Sequence, residues 1–307
     1  MLRHTLSYLR PVCVLPALLL MGTFSSVPAA EPPAAAPQAY PRGEMLVEPR
    51  GLATGGRDLV VLDARSAAAY LKGHVPGAIR VDHDAWKGAF KDGSDAPGWS
   101  VRIGALGIAP QTQVVIYDDA MSKDAARIWW ILRYWGHDKA ALLNGGWRGW
   151  QGAERPIETK ANNPSPEKFT AQARAAKLSL KDALVKQLKD TQQAPQIVDA
   201  RSEGEFCGTE KTAKRSGAMP GAKHLEWSDL IDRKTQRFKP AADLKKLFAD
   251  AGIDLTKPTV THCQSGGRSS VMAFGLELMG VDDVANYYAS WAEWGNAADT
   301  PIEMPKK

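Results

Sequence analysis

The amino-acid sequence predicts an α/β protein made of two tandem modules, each a mainly parallel sheet flanked by helices. Three observations carry this. Short apolar runs of strand character alternate with helical runs, the pattern of α/β units around a parallel sheet. The same landmarks occur twice in the same order, which argues for duplication of one module. A stretch rich in Pro, Asn and charge, residues 155–168 (RPIETKANNPSPEK), separates the copies as a linker does.

The chain begins with Arg3 and Arg10 and no acid, followed by an apolar run over residues 12–24 and small residues at 25–30 (SSVPAA). This is the grammar of a secretory signal, and the run is too short to span a bilayer. Residues 1–30 are therefore expected to be a signal peptide cut after Ala29 or Ala30, with a periplasmic or secreted product. An uncleaved anchor is the competing reading. No Cys ends the apolar run, which speaks against a bacterial lipoprotein, and no later segment is long and apolar enough to cross a membrane.

Beyond a Pro/Ala tail at 31–40, the first module is expected within residues 31–164 and the second within 165–307. The strand run 59–66 (LVVLDARS) is echoed at 197–202 (IVDARS), and 73–78 (GHVPGA) at 217–222 (GAMPGA). The apolar strand 114–117 (VVIY) is echoed at 259–262 (TVTH). Each leads into a helical run, 125–135 and 269–279, and each half closes on a Trp pair, GWRGW at 146–150 and SWAEW at 290–294.

With 307 residues, 44% hydrophobic and 24% charged, the chain can bury two cores. The formal charge is +5, and losing Arg3 and Arg10 lowers it by two. With no basic run, nucleic acid is not an expected partner, whereas a small anionic substrate fits. Of three cysteines, Cys13 leaves with the signal, so Cys207 and Cys263 remain. The six His are scattered without metal-ligand spacing.

The halves differ where it matters. Ligands of open α/β sheets bind beyond the carboxyl ends of the strands. There the first half places Asp118 and Asp119, and the second places residues 263–269, CQSGGRS. Gly266 and Gly267 permit a turn that gathers backbone N–H groups around one point. The loop opens into a helix whose N-terminus adds positive potential, and Arg268 adds a charge if it points inward. Such surroundings favour the Cys263 thiolate. The bland alternative is an inert strand-end Cys.

The remaining candidates have structural readings. Cys207 reads as a half-buried small hydrophobe rather than a resolving thiol. Asp63 and Asp199 read as ion-pair partners of Arg65 and Arg201, and His74 as a structural hydrogen-bonder. Trp129, Trp130 and Trp135 are expected in a core or an interface between modules.

Taken in order, DAR at 63–65 with GHVPGA at 73–78, NGGW at 144–147, CQSGGRS at 263–269 and SWAEW at 290–294 resemble the rhodanese family, specifically its tandem-domain thiosulfate sulfurtransferases. The resemblance covers residues 45–297. It implies a non-catalytic first module with Asp118 in place of the thiol, and a second module whose Cys263 carries sulfur as a persulfide. Substrate contacts would come from Gln264, Ser265, Gly266, Gly267, Arg268 and Ser269. The implied reaction passes sulfur from thiosulfate or a similar donor to cyanide or a thiol, with no metal or organic cofactor, by ping-pong kinetics. The active loop would face the cleft between modules, so residues 121–123 could line the substrate path. A monomer is the expected state.

Four residues separate Cys263 from Arg268. Phosphatases and arsenate reductases of similar fold carry a longer loop, although His262 fits their pattern. The 3-mercaptopyruvate branch carries a Cys-Gly-Ser-Gly loop, from which Gln264 and the Gly267–Ser269 stretch depart, so thiosulfate is the expected donor. Glu205 stands where some family members have a basic residue. A persulfide carrier serving a partner protein is the alternative from another functional class.

Overall fold

Apolar runs too short for helices form the strands, and the polar or Gly-rich ends of those runs form the turns. The computed structural model describes residues 1–2, 39–52, 56, 58–189 and 194–305. Apart from its first two residues, the expected signal segment lies outside these, as does Cys13.

The first half runs β1 (Leu46–Val47), β2 (Leu59–Asp63), α1 (Ala67–Lys72), β3 (Ile79–Arg80), α2 (His83–Ala89), α3 (Ala96–Gly104), β4 (Gln113–Tyr117), α4 (Lys123–Tyr134), β5 (Ala140–Leu143) and α5 (Gly146–Gly152). Its strands pair in parallel in the order β1-β5-β4-β2-β3. The second half runs α6 (Lys181–Gln187), β6 (Gln196–Asp199), α7 (Glu203–Phe206), β7 (Lys223–His224), α8 (Ala241–Asp250), β8 (Thr259–His262), α9 (Gly267–Leu278), β9 (Val284–Asn286) and α10 (Ser290–Trp294). Its order is β7-β6-β8-β9, again parallel. Leu178, bridged in parallel to Asn286, takes the edge that β1 takes in the first sheet.

The duplicated motifs fold alike. Ser66 and Ser202 cap α1 and α7 by accepting from Ala69 and Glu205 amides. The Arg65 guanidinium donates to Asp63 (2.5 Å) and to the Gly73 carbonyl (2.7 Å), and that of Arg201 to Asp199 (2.5 Å) and Gly217 (2.8 Å). Each arginine lies over the first Trp of its closing motif, 4.2 Å from the Trp147 ring centre and 4.1 Å from that of Trp291. Asp-x-Arg, Gly and Trp are therefore one buried cluster built twice, and Asp63 and Asp199 are structural partners. His74 is buried as well, with Nδ1 2.8 Å from the Tyr70 carbonyl.

Composition alone placed the second module from residue 165, but the chain stays against the first half for longer. The Glu167 amide donates to Gly104, and those of Gln172 and Arg174 donate to Trp135 and Tyr134. Residues 165–174 thus cover the first core, satisfying backbone groups there, before Leu178 reaches the second sheet.

The two halves meet along α4 and α9. Trp129 stands edge-on to Phe274 with centroids 5.0 Å apart, and Trp130 stacks on Tyr288 at 4.9 Å. One apolar cluster runs through both halves, with Trp135 beside Trp99 on the first-half side. At the far end of α9, the buried Glu277 accepts from Lys177 (2.7 Å) and Arg133 (3.2 Å). These two cations, with Arg42 at 3.9 Å, offset the cost of burying that carboxylate. The helix that begins at the Cys263 loop is thus held by the first half along its length. No helix among the described residues is long and apolar enough to cross a membrane.

Candidate active site

Strand β8 ends at His262, and the next residue, Cys263, begins the turn into α9. Gly266 carries the turn in the left-handed region at φ 86°, where a Cβ would press on the Tyr288 ring. Its amide donates to the Cys263 sulfur at 3.2 Å. Ser290 accepts from the Cys263 amide at 3.1 Å, and the Trp291 amide donates to the Cys263 carbonyl. The SWAEW motif is therefore the support of the thiol loop, a role its sequence did not disclose. Burial pushes the thiol up, but the charge of Arg268 and donors from Ser269 and the Ser265 amide outweigh it, leaving Cys263 below the ordinary thiol value.

The first half shows what this kind of turn accommodates. Asp118 stands at the end of β4 as Cys263 stands at the end of β8. One of its carboxylate oxygens accepts from the amides of Ala120 (3.0 Å) and Ser122 (2.9 Å), the other from Asp124 and Ala125, both at 2.8 Å. Burial lifts this carboxyl to about 6, against the pull of those amides. A built-in anion already fills the first cradle, while in the second the corresponding side chain is a thiol.

Cys263 is buried, yet it borders a cleft of about 470 Å³ between the halves. Gln264, Ser265 and Gly267 complete that wall. The first half supplies the opposite wall, and the cations Lys87, Lys123, Arg127 and Arg268 outnumber the acids Asp84 and Asp124 around it. His83 also borders the cleft, 3.3 Å from Asp124, and burial keeps its pKa below the usual value. Two roomier recesses, about 540 and 680 Å³, border neither Cys207 nor Cys263.

The expected site residues separate into three groups. Cys263, Gln264, Ser265, Gly267 and Arg268 face the cleft. Gly266 acts through its amide. Ser269 is buried behind the loop, its hydroxyl within hydrogen-bond distance of the Gly266 carbonyl (3.1 Å) and of Asn286 (2.8 Å), so it braces the loop. Gln264 is turned to the rim, its side chain engaged with Thr212. The expectation for Gly267 also changes. Only Gly266 needs left-handed backbone; at Gly267 a Cβ would lie 2.6 Å from Nη2 of Arg127. Of residues 121–123, Lys123 lines the cleft, whereas Met121 packs against the core.

Arg268 is not a free cation. It grips Glu205 of α7 through two nitrogens, at 2.5 and 2.9 Å, and this pairing with nearby Cys263 raises its pKa while Glu205 is held below the usual carboxylate range against the effect of burial. His262 turns away from the cleft. It is buried with Nε2 3.4 Å from Asp199, and desolvation pushes it down to about 4. Its counterpart in the first half is Tyr117, whose hydroxyl donates to Asp63. Sequence patterning pointed to neither Arg127 nor the bracing Ser290; Ser290 lay inside a recognised motif, but Arg127 had no local signal. Among the described residues, no three His, Cys, Asp or Glu side chains are placed to share a metal ion.

The chain matches the rhodanese-like domain family model over residues 51–153 and 182–297. It is similar to a thiosulfate sulfurtransferase of Pseudomonas aeruginosa, 32% identical over 273 residues, spanning 85% of this chain and 97% of that protein. A thiosulfate sulfurtransferase of Azotobacter vinelandii is 31% identical over 269 residues, with 85% and 97% covered. Among solved structures it is similar to the 3-mercaptopyruvate sulfotransferase SseA of Escherichia coli, 27% identical with a TM-score of 0.69, covering 81% of this chain and 99% of that one. The anaerobic ergothioneine biosynthesis enzyme of Chlorobium limicola shares the fold, at 21% identity and a TM-score of 0.74, over 87% of this chain and 72% of that one. With a match in each half and relatives aligned along nearly their whole length, this chain belongs to the rhodanese-like domain family.

Proposed function

We propose that the protein is a sulfurtransferase that moves sulfane sulfur from thiosulfate to cyanide or a thiol through a persulfide on Cys263. The observation that carries this reading is the Cys263 sulfur, 3.2 Å from the Gly266 amide, beside a cleft where cations outnumber acids. The thiolate attacks the outer sulfur of thiosulfate, the sulfur–sulfur bond breaks, and sulfite leaves with the bonding pair. The acceptor then attacks the outer sulfur of the persulfide, releasing the Cys263 thiolate. The loop amide and the cationic walls stabilise negative charge on the persulfide and on the departing oxyanion. The phosphatase reading loses support because Arg268 is held by Glu205 and His262 by the interior.

On the same reading, the half up to the crossover is non-catalytic and the half beyond it is catalytic. The signal-like character of residues 1–30 supports export to the periplasm or outside the cell as part of the same proposal. The test is intact mass before and after thiosulfate, then after cyanide. One sulfur gained on Cys263 and released as thiocyanate supports the proposal, and a gain that persists in Cys263→Ala refutes the site. Loading by 3-mercaptopyruvate but not thiosulfate would move the donor assignment, and stable loading with slow turnover would favour the carrier reading.

A further inference from the structure

The two arginines at the thiol cleft are in opposite states. Arg268 is paired with Glu205. Arg127, on α4 of the half without the thiol, is 4% exposed and makes no ion pair among the described residues. Its nearest acid in sequence, Asp124, is engaged with His83 (3.3 Å) and Lys123 (3.7 Å). One nitrogen, Nη1, makes both of its hydrogen bonds, to the Ser265 carbonyl at 2.8 Å and to the Tyr288 hydroxyl at 2.7 Å. The buried Nε has no partner, and Nη2 donates to none of the described residues. A guanidinium offers five donors in a planar fork, so Arg127 keeps donor capacity unused, and of its two unbonded nitrogens Nη2 is the one not fully covered. A buried cation without a counter-ion is costly, and an anion bound beside it would offset that cost.

Two further features hold the group there. Tyr288 lies under it, its ring centroid 5.2 Å from the guanidinium carbon. Gly267 leaves room for it, since a Cβ there would lie 2.6 Å from Nη2, although the backbone is not left-handed. Arg127 also borders the cleft that Cys263 borders.

We propose that Arg127 is the seat for the oxyanion end of the molecule that reacts at Cys263. The bound anion is the missing counter-ion, a sulfonate or carboxylate group held by Nη2 while the reacting sulfur meets the thiolate. The half without the thiol thereby contributes substrate recognition as well as a wall. The identity of the anion rests on the sulfurtransferase reading; the presence of the seat does not.

The test uses the full chain and two alkylating agents that differ in charge, iodoacetate and iodoacetamide, with rates read at Cys263 by peptide mass. Arg127→Gln should lower the ratio of iodoacetate to iodoacetamide rates by on the order of tenfold, the scale of one charge-assisted contact. Arg127→Lys should keep part of the ratio, because the charge remains but the fork is lost. A merely structural arginine would depress both rates together, and an unchanged ratio or a parallel fall overturns the proposal. Should Arg127→Gln not fold, Gly267→Ala displaces the same guanidinium with its methyl group, and an unchanged ratio there overturns the proposal equally. If thiosulfate fails to load Cys263 while the ratio still depends on Arg127, the sulfurtransferase reading falls and the seat stands. If thiosulfate loads Cys263 and the ratio is independent of Arg127, the seat falls and the sulfurtransferase reading stands.

Discussion

Replacing Asp118 by Ala empties the first cradle and measures how strongly such a loop holds negative charge. The carboxylate accepts four backbone N–H groups at 2.8–3.0 Å, and all are lost at once. Each buried donor left without an acceptor costs about 1–3 kcal/mol. Water entering the vacated space recovers part of that, and relief of the buried charge recovers more. At pH 7, above the value of about 6 to which burial lifts Asp118, the net loss should be about 3 kcal/mol. Urea unfolding of the variant and the parent gives this directly. The vacated amides should then take a free oxyanion. Sulfate should stabilise the variant beyond its general effect on the parent, by about 2.7 kcal/mol at a hundredfold excess over the dissociation constant. A loss below about 1 kcal/mol, or identical sulfate responses, would refute the view that these strand-end turns are anion cradles. The electrostatic reading of the Cys263 loop would weaken with it.

The other predictions concern the thiol and its supports. Because the Cys263 pKa is lowered, its iodoacetamide reaction should reach half-maximal rate below the ordinary thiol value of about 8.5, with the thiolate persisting as pH falls toward neutrality. Glu205→Gln frees Arg268 and should move that midpoint lower still, whereas Arg268→Gln should move it up; no change in either variant would remove Arg268 from the account. Gly266→Ala forces a side chain into left-handed backbone and onto the Tyr288 ring at 2.6 Å. It should cost about 2 kcal/mol or more and abolish persulfide loading, measured by thermal unfolding and intact mass. Asp199→Asn leaves Arg201 buried without its anion and should cost about 3–5 kcal/mol in urea unfolding. Normal stability would mean the repeated Asp-x-Arg cluster is not structural.

The amino-acid sequence by itself determined the duplication, the alternation that yields two parallel sheets, and the thiol loop. Each of these is written in neighbouring residues. Strands announce themselves by short apolar runs, and a strand-end Cys followed by Gly-Gly-Arg declares a turn into a helix within a few positions. The ion pairs of Asp63 with Arg65 and Asp199 with Arg201 were legible for the same reason, since the partners are two residues apart. Tertiary structure alone decided which charges meet the thiol. Arg127 reaches Ser265 across 138 residues of chain, and Arg268 reaches Glu205 across 63. Neither pairing leaves a mark on local periodicity, because the first depends on how α4 packs against the start of α9 and the second on how α7 lies beside it. For the same reason Gly267 has the look of a second turn glycine in the sequence, and only the guanidinium packed beside it shows what its missing side chain leaves room for. Hydrogen bonding along the chain writes the modules into the sequence; packing within the second module sets Arg268 and Glu205 beside the sulfur, and the docking of the first module adds Arg127.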